Sequence, residues 1–192
     1  MVNSSGTVNV LTNFYSVPLP VRTRVEAKAY AAYVEIWYEG QCVGRHERCF
    51  SRQQKVLNLE HYLDALASKP GALAGSMPLE QWRAQGRWPD SFDRFWENLQ
   101  QRRDRQGGTR AMIEVLLLGR QHGYEPLRQA MEQALALGAS DVAVIRYLLE
   151  LERTETRAPA VALEIGWLEQ YERPLPSLQH YDALLTVSGR VQ

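Results

Sequence analysis

The sequence predicts an α+β fold, in which a small antiparallel β-barrel or curled sheet precedes an α-helical bundle. Apolar residues recur with a period of two in residues 7–50, which is typical of half-buried strands. From residue 91 onward they recur at the spacing of amphipathic helices. Four regions are therefore expected: a β-barrel domain in 1–58, a linker with a short helix in 59–90, a helical bundle in 91–152, and a tail with a docking helix in 153–192.

The first 58 residues carry the strand predictions. Residues 7–11 alternate with their two valines inward, and residues 13–20 are expected as a bend because two prolines bar a central strand. Three further strands are predicted, at 22–31, 33–39 and 41–50. Glu39 and Gly40 suit a two-residue hairpin turn, in which glycine takes the positive φ. Closing these short strands into a barrel removes exposed edges.

One face of the strand predicted at 22–31 is basic. Arg22, Arg24 and Lys28 share it with a glutamate, while Val25 and three alanines occupy the other face, which we expect to be packed. Arginine and lysine on a curved β-surface contact phosphate backbones without reading base sequence. The predicted DNA-contacting residues are Arg22, Arg24, Lys28, Arg45, Arg48, Arg52 and Lys55. A solvated face without a partner is the alternative interpretation of the same charges.

Glycines mark the ends of the predicted helices. Residues 59–68 are expected as a short helix, and residues 69–78 break regular structure. Gly107 and Gly108 are expected to end the first helix of the bundle, with Thr109 capping the next. The remaining helix boundaries are expected at Gly123, Gly138 and Ser140. Short glycine-marked turns favour an antiparallel bundle.

Two segments are candidates for contact with other proteins. Trp37 shares a strand face with Tyr33, and this pair lies outside the barrel if Val34 and Ile36 point into it, so an interface is expected there. The tail segment 178–185 is a compact apolar-polar peptide, which is typical of a docking element. Its contact residues would be Leu178, Tyr181, Leu184 and Leu185. A strand or turn folded back on the chain's own bundle is the alternative.

The charge balance gives no global field that would attract a polyanion. The 192 residues include 22 basic and 22 acidic side chains. Basic residues are in excess in 1–58 and 69–110, and acidic residues in 111–152. The two cysteines form no disulfide framework, and the sequence shows neither a membrane-spanning run nor a secretory leader. A cytoplasmic protein without a membrane partner is expected.

Motifs for catalysis or metal binding are missing from the sequence. It contains no phosphate-binding glycine loop, no HExxH, no CxxC pair and no nucleophile elbow. Cys42 and His46 share one face of the predicted strand, but Cys49 points the opposite way, so the three cannot converge on a metal. His61 and His122 are interpreted as surface histidines. No cofactor and no enzymatic activity are expected.

Several short motifs lie in order along the chain. They are Thr12-Asn13-Phe14-Tyr15-Ser16-Val17-Pro18, Val25-Glu26-Ala27, Val34-Glu35-Ile36, Gly44-Arg45-His46, Glu60-His61-Tyr62-Leu63 and Lys69-Pro70-Gly71-Ala72-Leu73. With Gly107-Gly108-Thr109-Arg110 and the tail Tyr181-Asp182-Ala183-Leu184-Leu185, they cover nearly the whole chain. Together they resemble the C-terminal part of IstA-type transposases. These are DDE-family recombinases of two-gene insertion sequences, whose second gene encodes the AAA+ helper ATPase IstB.

The resemblance implies a β-barrel like the one that follows the catalytic core in Mu-type transposases, and then a helical region. In that family the barrel helps to bind transposon-end DNA, and the C-terminal parts support synaptic assembly and contact the helper ATPase. The expected partners are therefore transposon-end DNA, an IstB-like AAA+ ATPase and other transposase subunits. The family's helix-turn-helix and its catalytic domain with the DDE triad have no counterpart here, so the chain is expected not to cut or join DNA.

Two functions from different classes follow. The first is a non-catalytic DNA-binding and assembly fragment of an IstA-like transposase. The second is a protein-interaction module that docks the helper ATPase or other transposase subunits through residues 111–152 and the tail, without binding DNA directly. An independent hydrolase or nuclease is a third, for which the sequence supplies no motif.

Overall fold

All strands of the described residues precede the helices, which confirms the α+β class. The computed structural model describes residues 1–156. The strands are β1 Thr7–Val10, β2 Asn13–Ser16, β3 Glu26–Ala29, β4 Tyr33–Tyr38, β5 Gln41–Glu47 and β6 Lys55–Val56. The helices are α1 Leu63–Ser68, α2 Met77–Ala84, α3 Asp90–Arg102, α4 Arg105–His122, α5 Tyr124–Ala136 and α6 Val142–Thr156. Two short 3₁₀ helices cover Leu59–Tyr62 and Pro70–Ala72.

The strands form two three-stranded sheets in place of the expected closed barrel. In the first sheet β2 lies between β1, which is antiparallel to it, and β6, which is parallel. In the second sheet β3, β4 and β5 form an antiparallel meander. Within residues 1–156 no ladder joins the two sheets, so the closed barrel of the sequence prediction is corrected to two sheets. They share one small core that includes Val8, Tyr15, Val34 and Ile36.

Strand β2 occupies residues that were expected to lie in a bend. Its four residues pair with β1 from Thr7↔Ser16 to Val10↔Asn13, and Tyr15 and Ser16 are buried. Pro18 and Pro20 follow the strand, so they remove no donor from its ladder. The neighbouring strand β6 has only two residues, which is too short for a periodic pattern to predict it.

Strand β3 has the predicted facing, but its inward alanines are exposed where burial was predicted. It covers Glu26–Ala29 alone, and Arg22 stands outside it with a left-handed φ of 71°. Ala27 pairs with the buried Ile36 but stays exposed, because β3 is an edge strand whose inward side is left uncovered. Lys28, which was expected to be wet, is half-buried.

The β4–β5 hairpin follows the sequence prediction. Glu39 and Gly40 both have positive φ, 49° and 79°, as a type I′ turn requires. Val34 and Ile36 are fully buried on the inward face of β4. The outward face of β4 therefore carries the odd-numbered residues of this strand.

The helices pack around α4. This helix contacts α1, α3, α5 and α6, and its residues Met112 and Leu116 are fully buried. Leu63 of α1 and Trp82 of α2 belong to the same core. Residues 59–90, expected as a linker with a short helix, thus contribute buried side chains to the helical core.

Helix ends agree with the predicted glycines at two places and differ at a third. Gly123 and Gly138, with φ of 96° and 66°, follow α4 and α5 as predicted. The cap of α6 is Asp141, whose Oδ1 accepts a hydrogen bond from the Ala143 N–H at 2.9 Å. The prediction that Ser140 caps this helix is wrong, since the residue next to it does so.

The pair Gly107 and Gly108 does not end a helix. Helix α3 stops at Arg102, and Asp104 caps α4 by accepting a hydrogen bond from the Gly107 N–H. Gly108 therefore lies in the first turn of α4, where a Cβ would come within 2.6 Å of the Gln100 Cα. Glycine is needed here because the backbones of α3 and α4 approach closely.

A glutamine of α2 joins the helical part to the free edge of β6. Gln81 Oε1 accepts from the Leu57 N–H and Gln81 Nε2 donates to the Lys55 carbonyl, both at 2.7 Å. The side-chain amide thereby supplies the pair of hydrogen bonds that a neighbouring strand would supply. Nearby, Trp82 Nε1 donates to Asn58 Oδ1 at 3.2 Å.

The tail predictions lie outside the described residues. They comprise the docking segment with its contact residues Leu178, Tyr181, Leu184 and Leu185, as well as the expected helical region of the tail. Among residues 1–156, no helix combines the length and the apolar character needed to cross a membrane.

Replacing Gly108 by alanine is expected to destabilise the protein by about 1–3 kcal/mol, because the added methyl group overpacks a contact between two backbones. Nothing flexible can move aside, since the nearest atoms are the Cα and N of Gln100 and the carbonyl carbon of Leu99. Urea denaturation of Gly108→Ala against the unsubstituted protein measures the difference.

Gly71→Ala is the matched control, because a Cβ at Gly71 would meet no atom within 4 Å. Its free energy of unfolding is expected to match the unsubstituted protein or slightly exceed it. Equal stability of the two alanine variants would show that the α3–α4 contact does not require glycine.

Candidate nucleic-acid interface

Glu35 stands at the centre of the outward face of the second sheet. The strand register places it between Lys28 of β3 and Arg45 of β5. Trp37 Nε1 donates to Glu35 Oε2 at 3.1 Å, and Arg45 Nε lies 4.0 Å from Glu35 Oε1. One carboxylate therefore orients both an aromatic ring and a guanidinium on this face.

Each cation on this face lies over an aromatic ring. Lys28 Nζ is 4.5 Å from the Trp37 ring centroid, and Arg45 Cζ is 4.0 Å from that of Tyr33. Such contacts hold a cation over the negative face of the ring and leave its other side open to an anion. The half-buried state of Lys28 follows from this stacking.

The same arrangement continues beyond the end of β5. Arg48 Nη1 donates to the Tyr30 carbonyl at 2.9 Å, and Arg48 Cζ lies 5.0 Å from the Phe50 ring. Tyr30 in turn stacks on Tyr33 with 4.5 Å between ring centroids. Phe50 is 76% exposed, so a large apolar ring faces solvent beside an arginine. We call this connected set the aromatic–basic strip; its members are Lys28, Tyr30, Tyr33, Glu35, Trp37, Arg45, Arg48 and Phe50.

The other predicted DNA contacts lie outside the strip. Arg22 and Arg24 precede β3 in a segment held to the N-terminus by the Arg22 N–H bond to the Val2 carbonyl at 2.8 Å. Both are exposed, and neither forms a salt bridge within residues 1–156. Arg52 lies exposed between β5 and β6, and Lys55 lines an apolar cleft against α1 and α2. The structure thus brings together three of the seven predicted basic residues.

Trp37, predicted to belong to a protein interface, is half-buried on the outward face. Its contacts with Lys28 and Glu35 account for its partial burial. Its role as an interface residue stays a prediction.

A buried group of polar residues connects both sheets to the helical part. His46 Nε2 lies 2.7 Å from the Ser16 carbonyl, and His61 Nδ1 lies 2.9 Å from Ser16 Oγ. The Asn58 N–H donates to the same hydroxyl at 2.8 Å. The Ser16 hydroxyl therefore bonds to two groups of the helical part at once, the Asn58 N–H and His61 Nδ1. We call Ser16, His46, Asn58 and His61 the histidine junction.

Both histidines of the junction favour the neutral form. Burial and the charge of nearby His46 lower the pKa of His61 to about 4. Burial also lowers the pKa of His46, although its bond to the Ser16 carbonyl opposes the shift. A neutral imidazole avoids placing a charge in this largely desolvated position, which is why burial favours it. The prediction that His61 is a surface residue is therefore wrong, since its partner is a hydroxyl distant in sequence.

Sequence reasoning found the basic residues of the strip but missed the contacts that order them. Tyr30 and Phe50 fall inside the predicted strands 22–31 and 41–50, but in the structure they lie just beyond the ends of β3 and β5, so the predicted alternation did not apply to them. The stacking of cations on rings depends on cross-strand register, which a single sequence does not reveal. In residues 1–156, no group of three histidine, cysteine or acidic side chains is placed to hold a metal ion.

Comparisons with known proteins show that this chain is similar to transposases. Residues 1–58, which contain both sheets, match the family described as Mu transposase, C-terminal domain. No solved structure matches the chain significantly.

Curated relatives match almost the whole chain. A transposase of Aminobacter aminovorans is 28% identical over 92% of the chain and 34% of its own length. Transposases for insertion sequences IS1326/IS1353 from Pseudomonas aeruginosa and Shigella flexneri are each 29% identical over 95% of the chain and 35% of their own length. The chain spans about a third of the length of these relatives. These similarities support a resemblance to the C-terminal region of transposases.

Acidification is expected to destabilise the fold between pH 6.5 and pH 4. As pH falls, the unfolded chain takes up a proton on His61 near the ordinary pKa of 6.5, while the folded chain resists until about 4. Protonation of His61 therefore does not affect the free energy of unfolding above pH 6.5. As the pH falls from 6.5 to 4, this free energy decreases by up to about 3 kcal/mol. Urea denaturation across this pH range measures the loss.

His61→Gln supplies a neutral side chain that can still bond to Ser16, so part of the pH dependence is expected to disappear. The rest of the pH dependence is expected to remain, because burial also lowers the pKa of His46. His122→Gln, a substitution outside the junction, is expected to keep the original slope. If His61→Gln keeps it as well, the junction does not set the acid sensitivity.

Proposed function

We propose that this chain is a DNA-binding and assembly segment of an IstA-type transposase, and that it contacts transposon-end DNA through its first 58 residues. The observation that carries the proposal is a coincidence of two features. The residues that match the Mu transposase C-terminal domain are the same residues that build the aromatic–basic strip.

The chemistry of the strip suits a duplex backbone. Arg45 and Arg48 are each held by one polar contact and one aromatic ring, and they retain further N–H donors for phosphate oxygens. The rings of Tyr30 and Phe50 add apolar surface for sugar edges. Such contacts position a protein on DNA without selecting a base sequence. Arg22 and Arg24, exposed and unpaired within the described region, extend the set of phosphate contacts.

The proposal assigns no chemical step to this segment. It acts by contact in the cytoplasm, with other transposase subunits and an IstB-like AAA+ ATPase as its protein partners. The IstA assignment rests on the motifs from Thr12-Asn13-Phe14 to Lys69-Pro70-Gly71, and similarity to transposases over nearly the whole chain supports it.

The chain is expected to bind transposon-end duplex with an affinity that falls steeply with salt, because each neutralised phosphate releases a counterion. The double variant Arg45→Gln with Arg48→Gln is expected to bind about tenfold more weakly or worse, and the salt slope should shrink by about two. Electrophoretic mobility shifts at several salt concentrations measure both quantities.

Arg22→Ala with Arg24→Ala tests the segment before β3 in the same assay, and a smaller loss is expected because these residues lie outside the strip. Arg153→Gln is the control at the far end of the chain on α6, where its ion pair with Glu150 is local. No binding at low salt by the unsubstituted chain would refute the DNA-contact proposal.

A second function, docking of the helper ATPase without DNA contact, is favoured by one face of α6. Tyr147 and Leu151 are one helical turn apart and are 65% and 42% exposed. Exposed apolar side chains on a segment with acidic excess suit a protein partner.

Under this second function, Tyr147→Ser with Leu151→Ser is expected to reduce retention of the helper ATPase in a pull-down about tenfold, because both changes remove apolar contact area. A chain truncated after Thr156, where α6 ends, tests the tail separately. Retention unchanged in both variants would exclude this face and the tail as docking elements.

A further inference from the structure

A polar cleft of about 680 Å³ opens where the second sheet meets the helical part. Its lining comes from three parts of the chain. Arg45 and Arg48 lie at the end of β5, Asn58 precedes the first 3₁₀ helix, and Gln85 and Arg87 occupy the turn between α2 and α3. The sequence did not predict this cleft, because its lining residues come from distant segments of the chain.

The lining is rich in hydrogen-bond donors and poor in acceptors. The residues that line it include three arginines, Arg45, Arg48 and Arg87, and one acidic residue, Glu47. Asn58 uses its Oδ1 to accept from the Glu60 N–H and from Trp82, while its Nδ2 has no partner within residues 1–156. The Gln85 side chain likewise makes no hydrogen bond in this part of the chain, and Gln85 is exposed. A cleft with this charge and these donors favours an anion with several oxygens.

Arg87 is held in place while most of its donors remain free. Its Nη2 donates to Glu60 Oε1 at 3.1 Å, and its Cζ lies 4.3 Å from the Trp82 ring centroid. A stacked guanidinium loses little conformational entropy when it binds a ligand. Arg87 is therefore preorganised to bind phosphate by stacking on Trp82, as Arg45 is by stacking on Tyr33.

Arg45 and Arg48 belong both to this cleft and to the aromatic–basic strip. The two basic surfaces are thus continuous, and the second one ends on the helical part at Arg87. The aromatic–basic strip therefore leads past the end of β5 into the cleft.

We propose that the cleft binds the phosphodiester backbone of duplex DNA, with Arg87 and Gln85 as contacts from the helical part. The inference rests on the proposed function and extends its interface beyond the residues matched to the transposase family. Along this path the duplex is held by both parts of the molecule, with the histidine junction between them.

Charge changes at Gln85 and Arg87 test the proposal with the full chain. Fluorescence anisotropy with a labelled duplex is expected to show about fivefold weaker binding for Arg87→Gln, with a salt slope smaller by about one. Gln85→Glu places a negative charge, which repels phosphate, at an exposed position and is expected to weaken binding. Gln85→Lys is expected to strengthen it at low salt. Thermal unfolding of each variant separates binding from folding, because Arg87 also contacts Glu60 and Trp82.

Arg146→Gln is the matched control, since Arg146 is an exposed arginine paired with one carboxylate, Glu114, at 3.1 Å and lies outside the cleft. If Arg87→Gln and both Gln85 variants bind like the control while Arg45→Gln with Arg48→Gln fails, the interface stops at β5. That outcome overturns the inference and leaves the proposed function standing. Absence of duplex binding by the unsubstituted chain overturns both.

Inorganic phosphate provides the remaining arm of the test. At millimolar concentration and constant ionic strength, it is expected to leave duplex affinity nearly unchanged, because one phosphate replaces only one of many backbone contacts. Strong competition that Arg87→Gln abolishes would assign the cleft to a free phosphate and overturn the proposal for DNA.

Discussion

The hydroxyl of Ser16 holds together the parts of this molecule. It accepts from the Asn58 N–H and lies 2.9 Å from His61 Nδ1, while the carbonyl of the same residue lies 2.7 Å from His46 Nε2 of the second sheet. A single buried residue of β2 thereby joins both sheets to the first turn of the helical part. Ser16 and His46 are buried, so a lost bond between them leaves a costly unpaired group.

Around this point the two hydrophobic cores remain distinct, and polar side chains connect them. The small core of the sheets and the larger core around α4 have no members in common. Gln81 and Asn58 bridge them through hydrogen bonds to backbone and side-chain groups. Directional bonds fix the orientation of two packed bodies more closely than apolar contact does. The continuous basic surface from β5 to Arg87 depends on that orientation.

Local signals in the sequence predicted the elements that depend on local physics. The predictions for Gly40, Gly123 and Gly138 were correct because glycine adopts positive φ without a steric penalty. Val34 and Ile36 were correct because alternation reports burial on a paired strand. Gly108 was wrongly predicted to end a helix, because glycine is also needed where two helices approach closely. The basic residues of the strip were predicted and β3 was given the correct facing, but the exposure of its inward side and the position of Arg87 were missed, because both depend on contacts between distant segments.

Glu35 gives the strip a property that its basic residues alone would lack. The carboxylate serves as an internal counterion, so the resting face has less excess charge than its number of cations suggests. An incoming polyanion has to compete with this built-in acid for Arg45. Under the proposed function, this competition would weaken contacts with a single phosphate more than contacts with a duplex that engages several cations together. The same acid would favour release of the duplex once those simultaneous contacts are broken.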